Sequence, residues 1–506
     1  MEPASRYIPR LRTALVLTGT GTAGAYHAGV LRALQEAGVK IDLVAGRGVG
    51  VVAAMFGAVD GGARLWDSGG LWRSTRVRRF YGWRATLRAA LVMLGGAVAA
   101  VLVPFAVLGV VLLVFAGGFL LEAVGLPDAS AAASTATRWL QAMFAPGALP
   151  THVPRLVFVF LLGLLVALAA GAAASDIQSH ARRRASGALW WRLMGAPLDA
   201  SQVIAWFSGG LWHIMRGAAR RGKPSPGDFG ERYVEMLAGN LGQPGFRELL
   251  LLAHDLDARR DIAFALLADA PRRAYLRARP DDDARPFETV DLTRSERRRV
   301  FDALAATLRL AVATEPHFMP FSPDSVWRGE THRLCDRPDA AGRLLEEVAN
   351  AGAEQVILVS ALPPAPGPHA LGAGRRDVRG RLGEQLAAIE TAALRDAVTS
   401  QAGRFAALFE IRPRHNPLGP FDFAGCYDER SDRRQTLAEL VDRGYEDAFR
   451  QFVDAVVAAS GDWMSQAPPA GRTPRRRTPA PRPSISEQLA AHDGRTPLPG
   501  DSADPP

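Results

Sequence analysis

The hydrophobic pattern of the first sixty residues alternates between two kinds of segment. Ala14-Leu15-Val16-Leu17 is a short unbroken apolar run, the pattern of a strand buried on both faces. After a glycine-rich stretch, Val30, Leu31 and Leu34 fall on one face of a predicted helix that ends near Gly38. Ile41 to Ala45 predicts a second strand, and Val51 to Val59 a helix of small residues. The order is therefore strand, glycine loop, helix, strand, glycine turn, helix. Further along, Asp255-Leu256-Asp257 with Ile262 to Leu267 predicts a strand region, and Gln355 to Val359 another strand.

Two runs break this scale. Ala89 to Leu121 holds 33 residues without a charge, and Leu156 to Ser175 holds 20. A bilayer core is ~30 Å thick and needs about 20 helical residues, so both runs are long enough to cross. The first is longer than one crossing needs. It is either one tilted span bent near Pro104 or a span with an interfacial portion. The alternative for both is a pair of buried core helices.

Flanking charge sets an expected orientation. Arg73, Arg76, Arg78, Arg79, Arg84 and Arg88 precede the first run, and Arg182, Arg183 and Arg184 follow the second. The segment between the runs carries only Glu122, Asp128, Arg138 and Arg155. The positive-inside rule then places both outer flanks in the cytoplasm, with two crossings. Trp72, Trp83, Trp190 and Trp191 are the expected interfacial belt.

Composition narrows the classes. The chain has 506 residues, 48% of them hydrophobic, and a net charge of +9. Its basic character fits an anionic membrane surface or an arginine-rich composition, and no nucleic-acid-binding signature accompanies it. The two cysteines, Cys335 and Cys426, form no disulfide framework or metal-ligand pattern. No cofactor and no metal are expected, and His254 and His332 lack ligand spacing. Residues 1–12 contain no apolar run of signal-peptide length. The final 41 residues, from Gln466, hold ten prolines and are expected to be disordered, with Arg475 to Arg477 available to anionic lipid.

The candidate chemistry lies at the two glycine turns. Gly19-Thr20-Gly21-Thr22-Ala23-Gly24 joins the first strand to its helix, the placement that aims backbone amides at an anion. Gly19, Gly21 and Gly24 also fit the dinucleotide pattern G-x-G-x-x-G, but that fold wants an acid at the end of the second strand. Here Asp42 stands at its beginning. An acyl hydrolase uses the same loop as an oxyanion hole and the second turn as a nucleophile elbow, with small residues two before and two after the nucleophile. Gly46 and Gly50 supply that spacing around Arg47-Gly48-Val49.

The stretch from Ala14 to Gly62 resembles the opening of patatin-like phospholipases: a Gly-Gly-Gly-x-Arg-Gly loop, then Ala-Tyr-His-x-Gly-Val-Leu, then Gly-x-Ser-x-Gly. The segment Ala25-Tyr26-His27-Ala28-Gly29-Val30-Leu31 matches, as do both spacings. Ala313 to Pro320 resembles the segment before the family's catalytic aspartate, and Asp336 falls at that aspartate's position. The resemblance implies an α/β patatin-like three-layer fold with a mostly parallel central sheet, interrupted by a transmembrane hairpin. It also implies a Ser-Asp dyad for acyl-ester hydrolysis.

The dyad is broken in this sequence. The nucleophile position is Gly48, Thr20 and Ala23 replace the loop's usual Gly and Arg, and Arg337-Pro338 follows Asp336. A non-catalytic homologue is expected: a lipid-associated scaffold or binding protein with membrane phospholipids as partner, no nucleic acid and an unnamed protein partner. The other reading is a working lipid acyl hydrolase with a non-standard nucleophile, for which Thr18, Thr20, Thr22 and Ser208 offer hydroxyls. His27 is expected to be structural. Arg47 is either a headgroup-binding cation or a cation that points to solvent or pairs with an acid. The expected organisation is residues 12–85 and 179–465 as the two parts of one domain, 86–178 as the hairpin with spans near 89–121 and 156–175, and 466–506 as the tail. The expected location is a membrane, multi-pass, with the domain on the cytoplasmic side.

Overall fold

The computed structural model describes residues 7–125, 129–179, 195–219, 221–277, 285–367 and 374–457. The Arg182–Arg184 flank, the Trp190-Trp191 pair and the proline-rich tail from Gln466 lie outside the described residues.

The early strand–loop–helix order is realised with shifts of a residue or two. Strand β1 is Thr13–Thr18, helix α1 is Ala23–Glu36, strand β2 is Leu43–Arg47 and helix α2 is Gly50–Ala58. A two-residue strand β3, Gly82–Trp83, pairs antiparallel with β4, Leu198–Asp199. The remaining sheet strands are β5 (Glu248–Asp255), β6 (Arg260–Leu266), β7 (Thr289–Asp291), β8 (His317–Pro320), β9 (Thr331–Cys335), β10 (Gln355–Ser360) and β11 (Ala407–Ile411). The central sheet runs β11-β10-β1-β2-β5-β6-β7, with β9 pairing to the end of β5 and β8 pairing to β9. From β11 to β5 every neighbour is parallel, while β5 and β6 are antiparallel. The fold is mixed α/β with a mostly parallel central sheet.

Strand β1 shows why its apolar run is unbroken. Leu15 and Leu17 enter one core cluster, while Ala14 and Val16 enter a second on the opposite face. The first cluster is completed by α1, α2 and the helices Ser201–Arg216, Pro226–Asn240, Val300–Thr307 and Leu437–Ala448. The second is completed by Ala341–Asn350 and Val378–Gln401, through Leu344, Leu345, Val348, Leu394 and Ala397. Both sheet faces are dry, so period-two alternation has no reason to appear. The strand predicted around Asp255 lies earlier, with Leu249–Leu252 forming the middle of β5 next to β2.

The two apolar runs form helices Ala85–Ala123 and Leu149–Ser179. Both are long and apolar enough to cross a membrane, and no part of either most apolar window is buried. They pack antiparallel, with Thr86 facing Gly171, Met93 facing Gly163 and Phe160 facing Gly96. Pro104 lies within the unbroken first helix. The intervening segment contains a further helix, Ala129–Met143.

Two details of the predicted membrane flank change. Trp72 is 1% exposed and packs against Phe80 and Phe207, so it belongs to the core and not to an interfacial belt. Trp83 is 51% exposed. Arg73 and Arg84 are paired with Asp442 and Glu315, which neutralises part of the arginine cluster.

Candidate functional site

Four elements converge at the carboxyl ends of β1 and β2. The Gly19–Gly24 loop leaves β1, the Arg47–Gly50 turn leaves β2, Asp336 follows β9, and Glu390 comes from the Val378–Gln401 helix. Ligand chemistry in open parallel sheets collects at this end of the strands.

The β2–α2 turn has the geometry of an elbow. Gly48 has φ of 54°, in the left-handed region that disfavours side chains. A Cβ placed on it would lie 3.0 Å from Asp336 Oδ2 and would overlap the Gly19 carbonyl oxygen. Positions 48 and 336 are thus brought together, although position 48 has no side chain to use that proximity.

Arg47 occupies the polar space instead. Its Nη1 donates to Asp336 Oδ1 at 3.1 Å and to Oδ2 at 2.9 Å, and its Nη2 donates to Glu390 Oε1. Thr20 Oγ1 donates to the same Glu390 oxygen at 2.8 Å. Arg47 and Asp336 are each 1% exposed, Thr20 is 3% and Glu390 is 5%. The expectation that left Arg47 open as a headgroup-binding cation is corrected here. Its guanidinium is buried between two carboxylates, and burying a lone cation would be far more costly than burying a paired one.

Burial raises the Asp336 carboxyl above its ordinary value, against the opposing pull of the Arg47 cation and of the backbone N–H groups of Arg337 and Gly48. Two carboxylates share one guanidinium, so the arrangement carries one negative charge in excess when all are ionised.

One amide of the glycine loop and one of the elbow are also engaged. Thr22 N–H donates to the Pro420 carbonyl at 3.0 Å, and Val49 N–H donates to the Gly19 carbonyl at 3.0 Å. Thr22 Oγ1 donates to the Gly419 carbonyl at 2.9 Å. An amide already bonded to a carbonyl receives an oxyanion only after that bond breaks. Ala23 begins α1, and Gly24 lies against the Trp72 ring, so these two loop residues are packing positions.

His27 is fully buried, and its Nε2 donates to the Thr18 carbonyl at 3.0 Å. Burial, with Arg47 nearby, lowers its pKa from 6.5 to about 4, so the ring is held neutral as a structural strut beneath the loop. Thr18 Oγ1 donates to Val359 O at 3.3 Å, away from Asp336. Ser208 lies mid-helix, fully buried, where its hydroxyl donates to Ile204 O at 2.5 Å and accepts from Lys223 Nζ at 2.6 Å. His254 and His332 pair with Asp261 and Asp255. The residue that sequence reasoning missed is Glu390. Its only signal is a lone acid inside the apolar stretch Leu386-Ala387-Ala388-Ile389-Glu390-Thr391-Ala392-Ala393-Leu394.

No protein-family model and no curated protein matches this chain. Among solved structures, the chain is similar to the crystal structure of VipD from Legionella pneumophila. The identity is 12%, 88% of this chain and 67% of that one are covered, and the TM-score is 0.27. A likeness at that level carries no argument about activity. The patatin-like family stays a resemblance of motifs.

Proposed function

We propose that this chain is a membrane-anchored, patatin-like homologue that does not hydrolyse acyl esters and serves as a lipid-associated scaffold or binding protein. The observation that carries the reading is Arg47 holding the Asp336 carboxylate beside a residue 48 that has no side chain. A dyad base must accept the nucleophile's proton. This one has no nucleophile to serve and is already bonded to a cation.

Within the proposal, residues 12–85 and 179–465 are two parts of one patatin-like domain, with 86–178 inserted as a transmembrane hairpin. Their pairing at β3 and β4 supports an insertion, because the chain leaves and rejoins the domain at one short ladder. Both ends of the hairpin face the cytoplasm, and membrane phospholipids are the surroundings and the partner. Gly19 to Gly24 are the relic of the oxyanion loop, and Gly46, Arg47, Val49 and Gly50 the relic of the elbow.

The alternative is an active acyl hydrolase with another nucleophile. The contact between Lys223 Nζ and Ser208 Oγ is the feature that favours it, and the burial of Ser208 opposes it. Hydrolysis of a short-chain ester by the detergent-extracted full chain, run with a fluorophosphonate label, separates the two. The expected result is no turnover and no covalent adduct. Turnover with an adduct mapped to Ser208 would overturn the proposal.

A further inference from the structure

The turn that follows helix Val300–Thr307 is unusual in both backbone and side chain at one residue. Val312 has φ of 67°, in the left-handed region that glycine and asparagine tolerate and a β-branched residue avoids. The Ala313 N–H donates to the Ala311 carbonyl at 2.7 Å, closing a three-residue γ-turn with Val312 at its apex. The side chain there is 91% exposed, more than any other large apolar side chain among the described residues. An apex that met water would be more stable as glycine or asparagine, for backbone and side chain alike.

The base of the turn is tied down. Thr314 N–H donates to the Leu310 carbonyl at 3.0 Å, and Thr314 Oγ1 accepts from Leu310 N–H at 2.9 Å. Leu310 bridges to Asp336, whose own N–H donates to the Arg309 carbonyl at 2.7 Å. The turn therefore stands directly on the closed dyad region.

Register puts the apex beside the hairpin. Leu198 pairs antiparallel with Trp83 and bridges in parallel to Thr314, so the three residues lie side by side. Neighbouring strands are ~4.8 Å apart, which leaves Thr314 about 10 Å from Trp83. With these directions, the path from Trp83 to Ala85, where the first long apolar helix begins, runs the same way as the path from Thr314 back to Val312. The helix and the apex leave the ladder from one end. Arg84 and Glu315, which flank that end, are paired with each other. Trp83, Ala311 and Val312 are its exposed apolar side chains.

We infer that the Ala311–Ala313 turn is a membrane-contacting tip. It sets Val312 into the boundary between headgroups and acyl chains beside the foot of the hairpin, and holds the carboxyl ends of β1 and β2 toward the bilayer. The occupant is lipid because the tip is continuous, through the β3–β4 ladder, with the helix that enters the membrane in the placement proposed above. The inference rests on that placement and deepens it by assigning the face of the domain that meets the bilayer. Trp83 suits the same level, and removing the valine from water offsets the strained backbone beneath it.

The test uses the full chain reconstituted in phosphatidylcholine vesicles whose acyl chains are brominated near the headgroup. An environment-sensitive dye is attached to Ala311→Cys or to Lys40→Cys, an exposed position just before the opposite end of β2; the native Cys335 and Cys426 are buried. The dye at 311 is expected to lose fluorescence to the bromines, and the dye at 40 to keep it. Val312→Asn suits the left-handed apex and removes the apolar side chain, so the thermal transition in detergent is expected to stay or rise. In vesicles the same change is expected to lower the ratio of docked to free turn at least about tenfold, the scale set by burying a valine side chain. Equal quenching at 311 and 40, or quenching at 311 that survives Val312→Asn unchanged, would overturn the inference. So would a blue-shifted dye at 311 that the bromines leave bright, because the turn would then be meeting protein. Retention of the chain through an alkaline wash reports on the hairpin separately. A retained chain with an unquenched turn sinks the tip alone, whereas a chain that washes off sinks the membrane placement and the tip with it.

Discussion

The buried dyad region and the apolar hairpin solve opposite problems with opposite materials. At the ends of β1 and β2 the chain places a guanidinium and two carboxylates where water is excluded, and pairs both carboxylates with the guanidinium. Along Ala85–Ala123 it leaves Leu113 at 74% exposure, Phe105 at 64% and Leu102 at 58%, with no protein to cover them. In water, each arrangement is unfavourable by itself. The first is tolerable because every charge has a partner, and the second because the surrounding medium is expected to be hydrocarbon. The difference teaches that burial in this molecule has two meanings, and that substitutions should separate them.

The largest expected effect comes from unpairing the dyad region. Arg47→Ala leaves Asp336 and Glu390 facing each other in a dry site, and removing one partner of a buried ion pair costs about 3–5 kcal/mol. Chemical denaturation in detergent should show that loss, and Glu390→Gln made with it should recover part of it. A loss below about 1 kcal/mol would mean that the network contributes little.

Next is the reverse test on the hairpin. Leu102→Arg places a charge near the middle of an exposed apolar helix, and should lower membrane insertion by about 3 kcal/mol. A glycosylation reporter measures it, and the denaturation midpoint of the α/β part should stay where it was. If insertion is unaffected, the helix lies on some apolar partner and not in lipid.

Much of this contrast was legible beforehand, for identifiable reasons. Unbroken apolar runs with glycine turns between them located β1, β2 and β10, because strands covered on both faces carry no competing polar pattern. The juxtaposition of positions 48 and 336 was legible only through motif resemblance, since they are 288 residues apart in sequence. Glu390 was not legible at all. A single acid in an Ala-rich helix resembles a solvated position, and only the sheet's topology turns it inward. Trp72 failed for the related reason that proximity to an apolar run was read as proximity to a membrane, whereas a short turn carries the ring back under Phe207.

A smaller effect follows from His27 beneath the glycine loop. Its folded pKa of about 4 lies below the unfolded 6.5, so the folded state resists the proton. Stability from this group is complete above pH 6.5 and is lost as pH falls toward 4, by up to about 3 kcal/mol. Denaturation curves of the native chain and of His27→Gln between pH 7 and pH 4 should diverge in slope, the variant being flatter. Parallel curves would place the acid sensitivity elsewhere.

The smallest effect concerns the position from which the comparison began. Gly48→Ser places at the elbow the serine that the resembled phospholipases carry there, and a simple view of that resemblance predicts hydrolysis. The surroundings argue otherwise. A serine at φ of 54° is strained, its Cβ overlaps the Gly19 carbonyl oxygen, and that carbonyl is held in place by Val49 N–H. Strain of this kind costs about 1–3 kcal/mol. Even if the loop moves aside, the Asp336 carboxylate remains bonded to Arg47. The single variant should therefore be less stable than the parent and remain unlabelled by a fluorophosphonate. Labelling should require Arg47→Ala as well, if the pair folds. Strong labelling of Gly48→Ser alone would show that the loop and guanidinium yield easily, and that the closure of this site is a consequence of the missing serine and not a second lock upon it.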